Sequence, residues 1–141
     1  MHQNVIRQAI VKATTAALLL GVSAASMANT VNYNNEHVNN TVTKHYGGFD
    51  VHEGTKLRVV MDPIVSDPDS DPELMVKFGS NPTYFNFDCR PATELEDEIC
   101  DLTVPAGVDK AYVSVYAHGF NVDYNLSIEH YPSHNYNVSG H

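Results

Sequence analysis

The residues with the greatest capacity for chemistry stand at Asp67-Pro68-Asp69-Ser70-Asp71-Pro72-Glu73, where carboxylates recur at every second position on a stretch stiffened by prolines. Carboxylates held this close repel one another unless a cation sits among them, and calcium takes about six to eight hard oxygens. The spacing is not that of an EF-hand loop: Pro72 stands where the obligatory glycine belongs and Phe78 where the bidentate glutamate belongs. A calcium site here needs a donor from elsewhere in the chain, and Glu36, flanked by Asn34, Asn35 and Asn39, is the expected source. The expected Ca2+ ligands are therefore Asp69, Asp71, Glu73 and Glu36. The plainer alternative is a solvated acidic loop that keeps a sheet edge from pairing with another chain.

A second constellation is aromatic. Tyr112 and Tyr116 alternate with Val113 and Val115, which points them away from the apolar side of their strand; with Phe120 and Tyr124 they form a candidate ligand-binding surface. Flat phenol rings on the outside of a sheet stack on sugars or pack against an extended polypeptide, or else simply cover apolar surface and hydrogen-bond at their tips. His130, His134 and His141 cluster near the end of the chain; imidazoles suit zinc, copper or nickel, although on a polar tail such spacing is more often plain surface. His52-Glu53-Gly54-Thr55-Lys56 opens like a zinc-protease motif, but Lys56 replaces the second histidine and Gly54 places the run in a turn, not on a helix face. Ser114 and His118 are imaginable as nucleophile and base, yet Ser114 belongs to an ordinary strand pattern. No nucleophile elbow, phosphate-cradling loop or dinucleotide fingerprint occurs. The expectation is a chain with no catalytic site.

The elements that must position these residues are strands. Val122, Tyr124, Leu126, Ile128 and His130 alternate with polar neighbours, and period two of this kind marks a strand with one wet face. The same alternation groups Leu57 with Val59 and Met61, Leu74 with Val76 and Phe78, and Phe85 with Phe87 and Cys89. It continues through Cys100, Leu102 and Val104, and through Val113, Val115 and Ala117. Weaker runs over 40–44 and 48–52 bring the expectation to about eight strands, separated by turn signals such as Glu53-Gly54, Asn81-Pro82 and Pro105-Ala106-Gly107. So many short half-apolar strands cannot bury their apolar sides in one open sheet, so the predicted fold is all-β, two sheets packed face to face.

The first residues are read as a leader. Arg7 and Lys12 precede an apolar run, 13–25, too short to span a bilayer, and small residues at Ser26 and Ala28 place a signal-peptidase cut after Ala28. The expected organisation is a signal peptide over 1–28 and one domain over 29–141, either secreted outright or held in the periplasm, and not membrane-spanning. Loss of the two leader cations takes the net charge from −9 to −11, with 6 Lys plus Arg against 17 Asp plus Glu. So acidic a chain is a poor partner for nucleic acid, which is bound through basic patches. Cys89 and Cys100, eleven positions apart in a chain that leaves the reducing cytosol, read as a disulfide tying off the acidic connection Glu94 to Glu98.

The stretch ELMVKFGSNPTYFNFDCRP, Glu73 to Pro91, followed by EDEIC ending at Cys100, resembles the bacterial pre-peptidase C-terminal domain. HYGGFDVHEGTKLRVVM looks like that family's paired early strands and AYVSVYAHGFNVDYNLSIEHY like its closing strands, so the likeness covers about Lys44 to Tyr131. Met75 replaces the family's strand aromatic, and the glycine expected near Asp109-Lys110 is missing. The resemblance implies a β-sandwich of jelly-roll type that is appended to secreted proteases and is not itself catalytic. It is also similar to the collagen-binding modules of clostridial collagenases, some of which use calcium. Together these readings predict a secreted accessory module that binds an extracellular polymer, polysaccharide or protein. The alternative is an escort or inhibitor of a separately encoded secreted protease.

Overall fold

A computed structural model describes residues 27–64, 69–93 and 96–132. Most of the predicted leader, and Asp67, Glu94, His134 and His141, lie outside the described residues. Within them the chain forms β1 (Asn29–Val38), β2 (Thr43–Asp50), β3 (Lys56–Ile64), β4 (Asp71–Phe78), β5 (Glu98–Thr103), β6 (Lys110–His118) and β7 (Val122–His130). No helix among the described residues is long and apolar enough to cross a membrane.

Two antiparallel sheets result, one ordered β1-β7-β3-β5 and the other β2-β6-β4. Each strand lies in the opposite sheet from the strand that follows it. No sheet neighbours are joined by a tight hairpin, and all pairing depends on closing long loops. The inward residues are those that alternation selects: Leu57, Val59 and Met61 of β3, Val113, Val115 and Ala117 of β6, and Val122, Tyr124, Leu126 and Ile128 of β7 are all buried in one core shared by both sheets. Each fully buried aliphatic side chain contributes about 1.5–3 kcal/mol to holding the sheets together. The fold is thus an all-β sandwich.

Three local expectations need correction. The weak runs over 40–44 and 48–52 are a single strand, β2, which bulges between Gly47 and Phe49. The run Phe85-Asn86-Phe87-Asp88-Cys89 is not a strand with an inward apolar side: it makes only single bridges, Thr83 with Asn86 and Cys89 with Val76. Its phenylalanines are exposed. Conversely β1, a polar sequence with few apolar residues, forms because it completes the free edge of β7. The count among the described residues is therefore seven strands.

The other exposed margin, β4, is closed piece by piece. Pro72 has no N–H to leave unpaired, so a proline is tolerated at this edge position. The Leu74 N–H donates to Glu98 Oε2 at 2.6 Å, the Val76 N–H to the Cys89 carbonyl at 2.9 Å, and the Phe78 N–H to Asp88 Oδ2 at 2.7 Å. Alternate donors along the margin are thus satisfied by two carboxylates and one folded-back backbone, which blocks pairing with a second chain. The Cys89–Cys100 disulfide, with Cα atoms 6.0 Å apart, joins this segment to β5 and so clips the margin of one sheet to the margin of the other.

Replacing both cysteines by alanine removes the clip that holds the Cys89 main chain against Val76. The expected result is a loss of about 3 kcal/mol, measured by urea unfolding of the double variant against the parent. An unchanged midpoint contradicts this account of the margin.

Candidate functional site

Cross-strand register builds the outer face of the three-stranded sheet as a ladder. His118 of β6 lies opposite Asp71 of β4; Tyr116 lies between Thr43 of β2 and Glu73; Ser114 lies between His45 and Met75; Tyr112 lies between Gly47 and Lys77. Residues directly opposite one another in antiparallel strands share a face and touch. The loop over 79–91 folds back across this ladder, which is why Met75 is buried although it points away from the core.

Arg90 fastens that loop. Its Nη1 donates to the Tyr84 carbonyl at 3.0 Å, its Nε lies 3.6 Å from Glu73 Oε2, and its guanidinium carbon stands 4.2 Å from the centre of the Tyr84 ring and 5.2 Å from that of Phe87. A cation over an aromatic face is worth about 0.5–2 kcal/mol, more as water is excluded. So fixed, Tyr84 sits 5.7 Å from Tyr116 and 5.1 Å from Phe85, centre to centre. Thr43, Tyr84, Phe85, Tyr116 and His118 enclose an open groove of about 370 Å³. Phe85 stands at its rim 91% exposed, a large apolar side chain that the fold itself leaves uncovered.

Of the aromatic residues expected to make a binding surface, only Tyr116 lines this groove. Tyr112 lies against Gly48, where an added Cβ would come within 2.9 Å of its ring. Phe120 is exposed in the turn between β6 and β7, outside the groove lining. Tyr124 is a correction: it faces inward on β7, is wholly buried, and its hydroxyl lies 2.6 Å from that of Tyr46, so it offers no surface to a ligand. Sequence reading missed Tyr84 altogether and placed Phe85 in the core. The signals against that placement were present: Pro82 and Pro91 bracket the run, and proline is a poor neighbour for a strand interior.

The expected calcium ligands are divided. Asp71 and Glu73 share the outer face of β4, and Asp69 is exposed just before it. Glu36 is elsewhere. Asn35, in the left-handed region at φ 54°, inserts an extra residue into β1 between Tyr33 and Glu36. That bulge turns the Glu36 side chain inward, where it pairs with Lys44 and accepts a hydrogen bond from the Tyr46 hydroxyl at 2.8 Å. Lys44 and Tyr46 hold its carboxyl below the usual range against the opposing effect of burial. β1 and β2 form the sandwich margin opposite to that of β4 and β5, two strand spacings away in the three-stranded sheet and three in the other, roughly 10–14 Å. Among the described residues no group of three or more His, Cys, Asp or Glu is placed to hold a metal ion.

Next to Asp71 and Glu73 stands a carboxyl that sequence reading did not single out. Glu98 opens β5 and is 1% exposed. Burial pushes its pKa up to about 8; the Leu74 N–H and Arg90 oppose the rise, while Glu73 and Asp71 add to it. Glu73 is also raised, by burial first and by Asp71, against the pull of Arg90 and His118. Glu73, Glu98 and Asp71 are thus gathered at this margin, with the Arg90 guanidinium beside Glu73.

For nucleophilic chemistry the nearest arrangement is Ser114 Oγ with His45 Nδ1, 2.7 Å apart, and not Ser114 with His118. Ser114 is 0% exposed, so its hydroxyl is out of a substrate's reach. A substrate-sized opening exists instead at the aromatic groove, whose chemistry is that of contact and hydrogen bonding. Compared with family models, with curated proteins and with solved structures, the chain matches none.

Glu98 gives a pH dependence of stability. The folded chain holds a proton that the unfolded chain releases above its ordinary pKa of 4.5, so the stability from this group is full below pH 4.5 and is lost as pH rises through about 8. Glu98→Gln keeps an acceptor for Leu74 and cannot ionise. Each tenfold difference in proton affinity is worth about 1.4 kcal/mol. The variant should therefore exceed the parent at pH 8 by on the order of 2 kcal/mol and differ little at pH 4.5, read from urea melts at both values.

Proposed function

We propose that this chain is an exported, non-catalytic binding module of the kind the pre-peptidase C-terminal domains represent, and that it holds an extracellular polymer in the groove on its three-stranded sheet. The observation that carries the reading is Phe85, 91% exposed at the mouth of a groove of about 370 Å³ whose other walls include Tyr84 and Tyr116. A large aromatic side chain held in water on a loop pinned by a disulfide and by Arg90 gives the fold little beyond its edge contact with Tyr84. It becomes favourable only when something covers it. Pre-fixing the loop lowers the ordering cost of binding, because the contact residues are already in place.

The test is retention. The purified protein is passed over a panel of insoluble polysaccharides and fibrous proteins, beside Phe85→Ala and Tyr116→Ala. The reading expects retention on at least one polymer and a loss of about tenfold in affinity for each variant. Phe85→Ala should leave the melting temperature unchanged because the side chain is at the surface. Retention that is indifferent to both substitutions sinks the assignment of this groove, and no retention on any polymer sinks the function.

A further inference from the structure

Shape alone makes the groove a contact site; its ring angles and its charge say what chemistry it receives. The Tyr84 and Phe85 rings meet at 81°, and those of Tyr84 and Tyr116 at 68°. Rings this steeply inclined do not lie in one plane. A pyranose stacks flat on an aromatic face, and a saccharide chain needs a run of such faces. A compact cation is instead held by rings approaching from several directions, through the negative charge over their faces.

Acidic residues adjoin two of the groove's lining residues. Register places Asp71 beside His118 and Glu73 beside Tyr116. Arg90 answers Glu73, whereas none of the ion pairs among the described residues involves Asp71. The field of the whole chain, with a formal net charge of −9, has the same sign. The fold already uses this chemistry, since Arg90 lies on the Tyr84 ring at 4.2 Å.

Resting on the binding-module reading above, we propose that the groove receives the ammonium group of a lysine side chain carried by an extended, basic polypeptide. The butyl stem lies along Phe85 and Thr43, and the charge is enclosed by Tyr84 and Tyr116 and faces Asp71. A polypeptide fits better than an amino-sugar polymer, because the lysine amine stands on a narrow flexible stem that needs no flat surface to reach the rings.

The probe is hexalysine, titrated calorimetrically into the purified protein at about 50 mM salt, with a neutral oligosaccharide of similar length as a second arm. The proposal expects saturable binding of hexalysine. Phe85→Ala and Asp71→Asn should each weaken it roughly fivefold or more. Asp62→Asn, an exposed carboxylate on β3 of the other sheet, should change it less than about twofold. Equal weakening by Asp62→Asn and Asp71→Asn marks attraction to general charge and overturns the proposal, as does the absence of saturable binding. If the neutral oligosaccharide binds with dependence on Phe85 and hexalysine does not, the lysine assignment falls while the binding module stands. If neither arm binds and polymer retention ignores Phe85, both fall together.

Discussion

The unsatisfied margin of β4 is the constraint around which the rest of this molecule is arranged. A strand that ends a sheet presents donors and acceptors that must be paired, covered or made repulsive. Here one segment and the first residue of β5 do all three: Cys89 pairs with Val76, Asp88 and Glu98 cap the flanking donors, and the acidic side chains repel a second strand. Because the same segment is bound covalently to β5 through Cys100, closing the margin also fixes the spacing of the two sheets. The loop that leads into Cys89 then has little freedom, and it is this loop that carries Tyr84 and Phe85 over the sheet face.

Electrostatics follows from that closure. Glu98 is buried because its carboxylate is the partner of a main-chain donor, and its burial brings it close to Glu73 and Asp71. Three carboxyls in so small a space are tolerable only with a proton retained on Glu98 or with cationic charge close by. Arg90 supplies part of that charge and, by lying on Tyr84, converts an electrostatic need into a mechanical one. The buried acid, the guanidinium and the aromatic wall are one connected unit. At the opposite margin an analogous chain of contacts, Lys44 to Glu36 to Tyr46 to Tyr124, closes β1 over β2 with a single inward carboxylate paired to an ammonium.

The strand connectivity explains why so much depends on loops. With successive strands in opposite sheets, no pair of neighbours forms before a long loop has closed, and such topologies acquire their contacts late and together. A covalent tie across one margin lowers the entropy of the unfolded chain at the place where the fold has least local pairing. It also lets an irregular loop be rigid enough to carry exposed aromatic side chains.

Sequence by itself determined the sandwich, because period two is a local property: each of β3, β4, β6 and β7 declares its inward face through residues such as Leu57, Leu74, Val113 and Leu126, and the core follows their alternation. It also pointed to the disulfide, since two cysteines without a neighbouring set of Cys or His ligands have few other uses, and Cys89 and Cys100 are bonded. Only the tertiary structure decided the site. Phe85 and Phe87 alternate as a strand would, and nothing local reveals that no partner strand remains for them. The burial of Tyr124 follows from the alternation itself, but its link to Tyr46 does not, because it depends on which strand lies across the core. The bulge at Asn35, which turns Glu36 inward to Lys44 and Tyr46, is likewise a matter of register between strands ninety residues apart. Alternation says which way a side chain points; only the pairing of distant segments says what it meets there.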